Sequence, residues 1–347
     1  MSPELIRLHL SQLQKAINKS NTNKYADNRK QEYFKNISTL FETINSKDFS
    51  KCSISELKSY KIIIDFCFIS IEFLDNSVLT VIPHEIVYCL ENALNDWDDT
   101  NKYIIVTSLA NDLNKFCFNS YLSLNETFYD VFTAYFGIDF KHRLIQITLP
   151  KYLSQDYLAN VVLYHELGHF VDQKFGITEK LSLSLSLGVK LTNHYGEFFS
   201  DIFAAQYIGE ASNFYLHYIA HEAPDAESHP STNSRIDLVN KFLNGEQDPI
   251  LDDLKNATLK ITGKELQDRR KIISDDDFKA FIPTNIVSDE ELHSIFEMGW
   301  KLWMNPIPEF IDKHIGEFDK YRIINNLMEK SISNYMVVNK WNKHVPH

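Results

Sequence analysis

Between Tyr157 and Gly176 the chain reads YLANVVLYHELGHFVDQKFG, a mostly apolar stretch with His165, Glu166 and His169 in its middle. The spacing predicts a helix with Ser154 as N-cap and Gly176 as C-cap. Residues four apart share one face of a helix, so His165 and His169 point the same way. They extend a stripe begun by Leu158 and Val162, which is expected to be buried. Two buried imidazoles need polar partners, and one metal ion satisfies both through a nitrogen each. Glu166 is rotated about 100° around the axis, too far to join the same plane of ligands but well placed to take a proton from water beside the ion. Gly168 lets another element come close. This is the HExxH pattern, in which two histidines hold zinc and the glutamate is a general base. The alternative reading of the same residues is a pair of hydrogen-bonded core histidines.

A third ligand is needed, and NHYGEFFSDIFAAQYIG supplies a candidate. Glu197 and Asp201 are again four apart, and their face continues through Ala204, Ala205 and Ile208. Carboxylates at this spacing repel each other. No Lys or Arg lies between Leu191 and Glu210, so a metal and a metal-bound imidazole are the expected relief. Glu197 is the candidate third ligand. Asp201 is placed to accept the free ring N–H of a ligand histidine and fix its tautomer.

AESHPSTNSRIDLV follows. Pro230 and Ser231 mark a helix start, with Arg235 one turn in and His229 just before it. Hydrolysis of a peptide bond builds a negative oxygen in its transition state, and a donor aimed at it lowers the barrier. His229 suits that role, with Arg235 as a supporting charge or an anchor to a carboxylate.

Taken in order, HELGH, Glu-Phe-Phe-Ser-Asp and His-Pro-Ser-Thr-Asn-Ser-Arg resemble the gluzincin metallopeptidases, most nearly the soluble relatives of the CAAX prenyl endopeptidases, whose pattern is HExxH, ExxxD and HPxxxxR. The resemblance covers residues 144–239. It implies one zinc ion on His165, His169 and Glu197, with Glu166 as catalytic base and Asp201 behind a ligand ring. It also implies His229 near the oxyanion and Arg235 behind it. Membrane-embedded members of that family carry transmembrane helices, and none is expected here. In zincins an edge strand lies above the active-site helix and pairs with extended substrate, a role that Arg143 to Leu149 would fill.

The remaining chain predicts an α+β, mostly α-helical fold: a zincin-like core with a small β-sheet. Ser2-Pro3-Glu4 reads as a helix start, Ser53 to Glu56 as a capping box, and Pro83 as the opening of another helix. KYIIVTSL from Lys102 and HRLIQITLP from His142 read as strands, and NETFYDVFTAYFG as a helix ending at Gly137. KLSLSLSLGVKL alternates strictly, which fits a strand, a helix or a mobile loop. Helices are expected to resume near Tyr195, with a linker at residues 244–253. The division expected is 1–98 helical, 99–245 catalytic core and 246–347 helical.

A formal net charge of −12, with Arg269-Arg270-Lys271 flanked by Asp268 and Asp275 to Asp277, argues against nucleic acid or an anionic membrane as partner. The apolar region from Ile62 to Val87 is broken by Asp65, Glu72, Asp75 and Glu85, so no membrane span is expected. Cys52, Cys67, Cys89 and Cys117 have no regular spacing and read as free thiols of a cytoplasmic protein. The expectation is a zinc endopeptidase acting on an intracellular protein or peptide. Two rivals share the residues: a zinc-containing binding or regulatory protein, and a narrow-specificity, toxin-like effector with little general protease activity.

Overall fold

The computed structural model describes residues 2–25, 27–77, 83–112, 115–119 and 122–342. The chain is mostly helical with one small sheet. Contacts group it into two compact units, residues 1–83 with 99–151, and residues 84–98 with 152–347. These borders are not those of three consecutive thirds: the segment 84–98 joins the later part of the chain.

The first unit holds α1 (Pro3–Ser20), α2 (Asn28–Asn45) and α3 (Ile54–Asp75). After α4 (His84–Asn95), which belongs to the second unit, the first continues with β1 (Tyr103–Ala110), β2 (Cys117–Asn119), α5 (Glu126–Phe136) and β3 (Arg143–Pro150). The starts follow the local chemistry. Ser2 caps α1 with Pro3 in its first turn. At α3 the Ser53 hydroxyl accepts from Glu56 N at 3.2 Å, while the Glu56 carboxylate accepts from Ser53 N at 2.7 Å.

The core of this unit is aromatic. Phe66 meets Phe132 and Tyr129 edge-on, at centroid distances of 4.8 and 5.8 Å. The buried Tyr33 hydroxyl lies 3.2 Å from that of Tyr129, which donates onward to Leu122 O. These bonds remove the cost of burying two phenols.

The strand order is β1-β3-β2, with β3 parallel to β1 and antiparallel to β2. Arg143 to Leu149 is therefore the central strand, and the expected edge for an extended substrate is already paired on both sides. The short β2, Cys117 to Asn119, carries too little pattern to be seen in the sequence.

The second unit continues after α4 with α6 (Val162–Phe175), α7 (Ile177–Leu185), α8 (Val189–Ile208), α9 (Ala211–Ile219) and α10 (Thr232–Asn244). Then come α11 (Pro249–Thr262), α12 (Asp276–Lys279), α13 (Asp289–Met304), α14 (Pro308–Asp312) and α15 (Glu317–Asn342). One hydrogen-bonded chain shows why α4 belongs here: His293 of α13 is bonded at one ring nitrogen to Asn92 of α4 and at the other to Tyr164 of α6, both at 2.8 Å. Burial holds the His293 pKa down to about 4, so the ring is neutral and both bonds are ordinary.

Three local expectations are corrected, and one left open, the Leu-Ser stretch, is decided. α6 begins at Val162 after a 3-10 turn, with Val161 rather than Ser154 at its N-cap position; Asp156 accepts from Leu158 N and Ala159 N where the preceding turn begins. The Leu-Ser stretch is α7, packed on α8 and α11, with Leu181 buried and Leu183 and Leu185 exposed. Alternation on a helix spreads leucines around the axis, so only part of them finds the core. Residues 244–253 are no linker: Gly245 ends α10, Asp248 caps α11, and both helices lie in one unit. α8 also starts six residues before the expected Tyr195.

Among the described residues no helix is long and apolar enough to cross a membrane; residues 78–82 of the apolar region lie outside them. All four cysteines are free; Cys67 and Cys89 are buried, while Cys52 and Cys117 are half-buried.

Replacing Ser53 by Ala removes one half of the capping box. The expected loss is about 1 kcal/mol of unfolding free energy, read by urea titration with an unchanged m-value.

Candidate metal centre

Gly176 ends α6 in the left-handed region, at φ 63°, and turns the chain into α7. The return through α8 brings α6 and α8 into contact along their length. They come close at Gly168. A Cβ there would lie 2.8 Å from Ser200 Cα and 3.1 Å from Ser200 O, so only glycine permits the approach. His165 and His169 sit on α6 around this point, and Glu197, Ser200 and Asp201 on α8.

The rings of His165 and His169 are 4.6 Å apart and nearly perpendicular. His165 Nε2 lies 3.4 Å from Glu197 Oε2, and His169 Nε2 lies 3.6 Å from Glu197 Oε1. The outer nitrogens are held from behind. His165 Nδ1 is 2.9 Å from Asp201 Oδ1, and His169 Nδ1 is 2.9 Å from the Ser200 hydroxyl. One donor atom from each of His165, His169 and Glu197 falls within 4.8 Å of the other two. Ligands at about 2.0–2.2 Å from a tetrahedral ion are about 3.3–3.6 Å apart, so the donor chemistry and the spacing both fit a zinc-like cation.

Arg235, in the first turn of α10 behind the Ser231 cap, reaches the same cluster. Its Nε and Nη2 donate to the two oxygens of Asp201 at 2.6 and 2.7 Å, and Nη2 is 3.3 Å from Glu197 Oε2. The carboxylates it anchors are thus the protein's own. Part of the relief expected from a metal comes from this guanidinium, which the sequence offers as an anchor to a carboxylate without disclosing that the carboxylate is Asp201.

His229 Nε2 lies 3.5 Å from Glu197 Oε1, on a side chain that is 56% exposed. The loop before it is fixed by His194, which bonds Ala226 O at 2.7 Å, and by Ala226 N donating to His229 O. Glu166 is buried and near enough to Arg235 to raise the guanidinium pKa, together with Asp201 and Glu197. Tyr164 of α6 and Tyr195 of α8 spend their hydroxyls elsewhere, on His293 and Asp253.

Electrostatics follow the contacts. Burial opposes charge on His165, but Asp201 and Glu197 more than reverse this and push its pKa up to about 10. Burial and the charge on His165 hold His169 down to about 4. Burial would raise Glu197, yet His165, His169 and Arg235 bring it down to about 2; Asp201 is held below the usual carboxylate range, against burial, by Arg235 and His165. Both carboxylates are ionised at neutral pH.

All seven residues singled out from sequence thus fall in one unit, and six of them are linked by the distances above. The residue missed is Ser200. Its signal was its place, three after Glu197 and one before Asp201 on the buried side of α8. A search of protein-family models, of curated proteins and of solved structures finds no match to this chain.

Arg235→Met leaves Asp201 and Glu197 buried with only the His165 ring to pair their charge. The expected cost is about 3–5 kcal/mol of stability in denaturant unfolding of the metal-free protein. Glu197→Ala is expected to weaken Zn2+ binding at least about 100-fold in chelator competition, since even partners behind a ligand are worth about 10–100-fold.

Proposed function

We propose that the chain is a zinc-dependent endopeptidase with a zincin-like core, similar to the soluble gluzincins that its motifs resemble. The observation that carries this is the convergence of His165 Nε2, His169 Nε2 and the Glu197 carboxylate, with Glu166 on the residue between the two rings. Two histidines and one glutamate, the three donors that converge within 4.8 Å among the described residues, make the donor set of hydrolytic rather than structural zinc. The cation, when bound, supplies Lewis acidity toward a water and a scissile carbonyl.

The protein's own groups do the rest. Glu166 takes the proton of the attacking water and passes it to the leaving amine. Asp201 and Arg235 hold His165 and Glu197 in place and keep the carboxylates ionised. His229, exposed at the rim and 3.5 Å from Glu197, is placed to donate to the oxygen that becomes negative. The four free cysteines support a reducing compartment and an intracellular protein substrate.

One observation favours a second reading. His229 Nε2 stands as close to Glu197 as His169 Nε2 does; it lies outside the trio whose donors converge within 4.8 Å, and a swing of this exposed ring onto the ion would close the site around a structural ion in a binding or regulatory protein.

The parent protein is expected to bind about one zinc per chain and to cleave members of a peptide library, with cleavage lost on chelation and restored by Zn2+. Glu166→Gln should keep the metal and lower turnover by about 10²–10⁴-fold. A parent that holds zinc and cleaves nothing favours the closed, structural site. Equal cleavage by parent and variant removes Glu166 as the base.

A further inference from the structure

We propose that Ser200 is a positioning residue for His169, fixing its proton on Nδ1 so that Nε2 presents a bare lone pair to the cation. The inference rests on the metal reading above and adds to it a residue that no motif contains.

The argument is a count of protons. The Ser200 hydroxyl lies 2.9 Å from His169 Nδ1 and 3.0 Å from Gly196 O, the carbonyl one turn back on its own helix. A hydroxyl has one hydrogen and two lone pairs. A carbonyl can only accept, so the hydrogen goes to Gly196 O and the oxygen faces His169 as an acceptor. The ring must then carry its proton on Nδ1. Ser200 is fully buried, so water does not compete for either bond.

The opposite assignment, with Ser200 donating to Nδ1, puts the ring proton on Nε2. There it faces Glu197 Oε1 across 3.6 Å, beyond hydrogen-bond reach, and gains nothing. It would also have to leave before a cation could bind.

Backbone packing makes the contact possible. Gly168 lets α6 approach Ser200 to van der Waals distance, which carries the next residue of α6, His169, within reach of the hydroxyl. The two ligand rings are therefore held by different chemistry. An ionised carboxylate, itself clamped by Arg235, grips His165; a neutral hydroxyl grips His169. Partners of this kind set ligand orientation and tautomer.

The test uses the full chain and Zn2+. In the metal-free parent, nitrogen-edited NMR of the histidine rings, with the His169 signals identified by their loss in His169→Gln, should show the proton on Nδ1. Ser200→Ala should shift that ring toward the Nε2-protonated form or a mixture. It should also weaken Zn2+ binding about 10-fold in chelator competition, with a melting temperature close to that of the parent. Ser200→Thr, which keeps the hydroxyl, should restore tautomer and affinity. A parent His169 protonated on Nε2 overturns the proposal, as does a Ser200→Ala protein with parental tautomer and affinity. If the parent binds no zinc, the metal reading fails, while the NMR result still decides what Ser200 does to His169.

Discussion

Two helices meet backbone to backbone where Gly168 faces Ser200, and the site depends on that contact. Helices in globular proteins ordinarily pack with side chains between them, at about 8–10 Å between axes. Here the missing Cβ lets the histidines of α6 and the acids of α8 reach one another with short side chains. Both helices repeat their polar groups every four residues, His165 and His169 on one, Glu197 and Asp201 on the other. Equal spacing on the two surfaces lets one carboxylate sit between both rings while the other backs the first ring. Any residue at 168 larger than glycine would push these pairs apart together.

Close approach creates an electrostatic problem that the fold solves from a distance. Glu197 and Asp201 are buried on one face, and desolvation alone would drive them to take up protons. His165 and Arg235 together prevent this, and the planar fork of Arg235 is suited to bind both oxygens of Asp201 while leaning on Glu197. Buried charge is tolerated when it is paired and hydrogen-bonded, and here the guanidinium and the His165 ring supply that pairing for Glu197 and Asp201.

What the sequence disclosed follows the range of each interaction. The i,i+4 pairs, the Ser53–Glu56 capping box and the left-handed ends at Gly137 and Gly176 are set within one or two turns, and they were legible. The start of α6 was misread because Ser154 is a good cap by type, whereas a turn held by Asp156 and a 3-10 turn precede the helix, which then starts without a side-chain cap. The clamp of Arg235 on Asp201 spans 34 residues and the bond from α13 to α4 spans 201; neither leaves a periodic mark. Ser200 went unnoticed for a different reason. A serine between Glu197 and Asp201 looks like helix filler, and its meaning appears only when His169 arrives from another helix.

The sheet shows the same limit, and it changes how an extended peptide could be met. HRLIQITLP announced a strand correctly, but a strand's neighbours are fixed by segments elsewhere in the chain. β3 is bonded along its length to β1, and at Gln146 to Thr148 to β2, so its backbone groups there are spent on the fold. Adding a peptide by main-chain pairing needs unpaired N–H and C=O groups, which belong to the outer strands of a sheet. Among the described strands the outer ones are β1 and β2. Substrate pairing on Arg143 to Leu149 would require β2 to leave, exchanging three residue pairs of an existing ladder for those of the peptide.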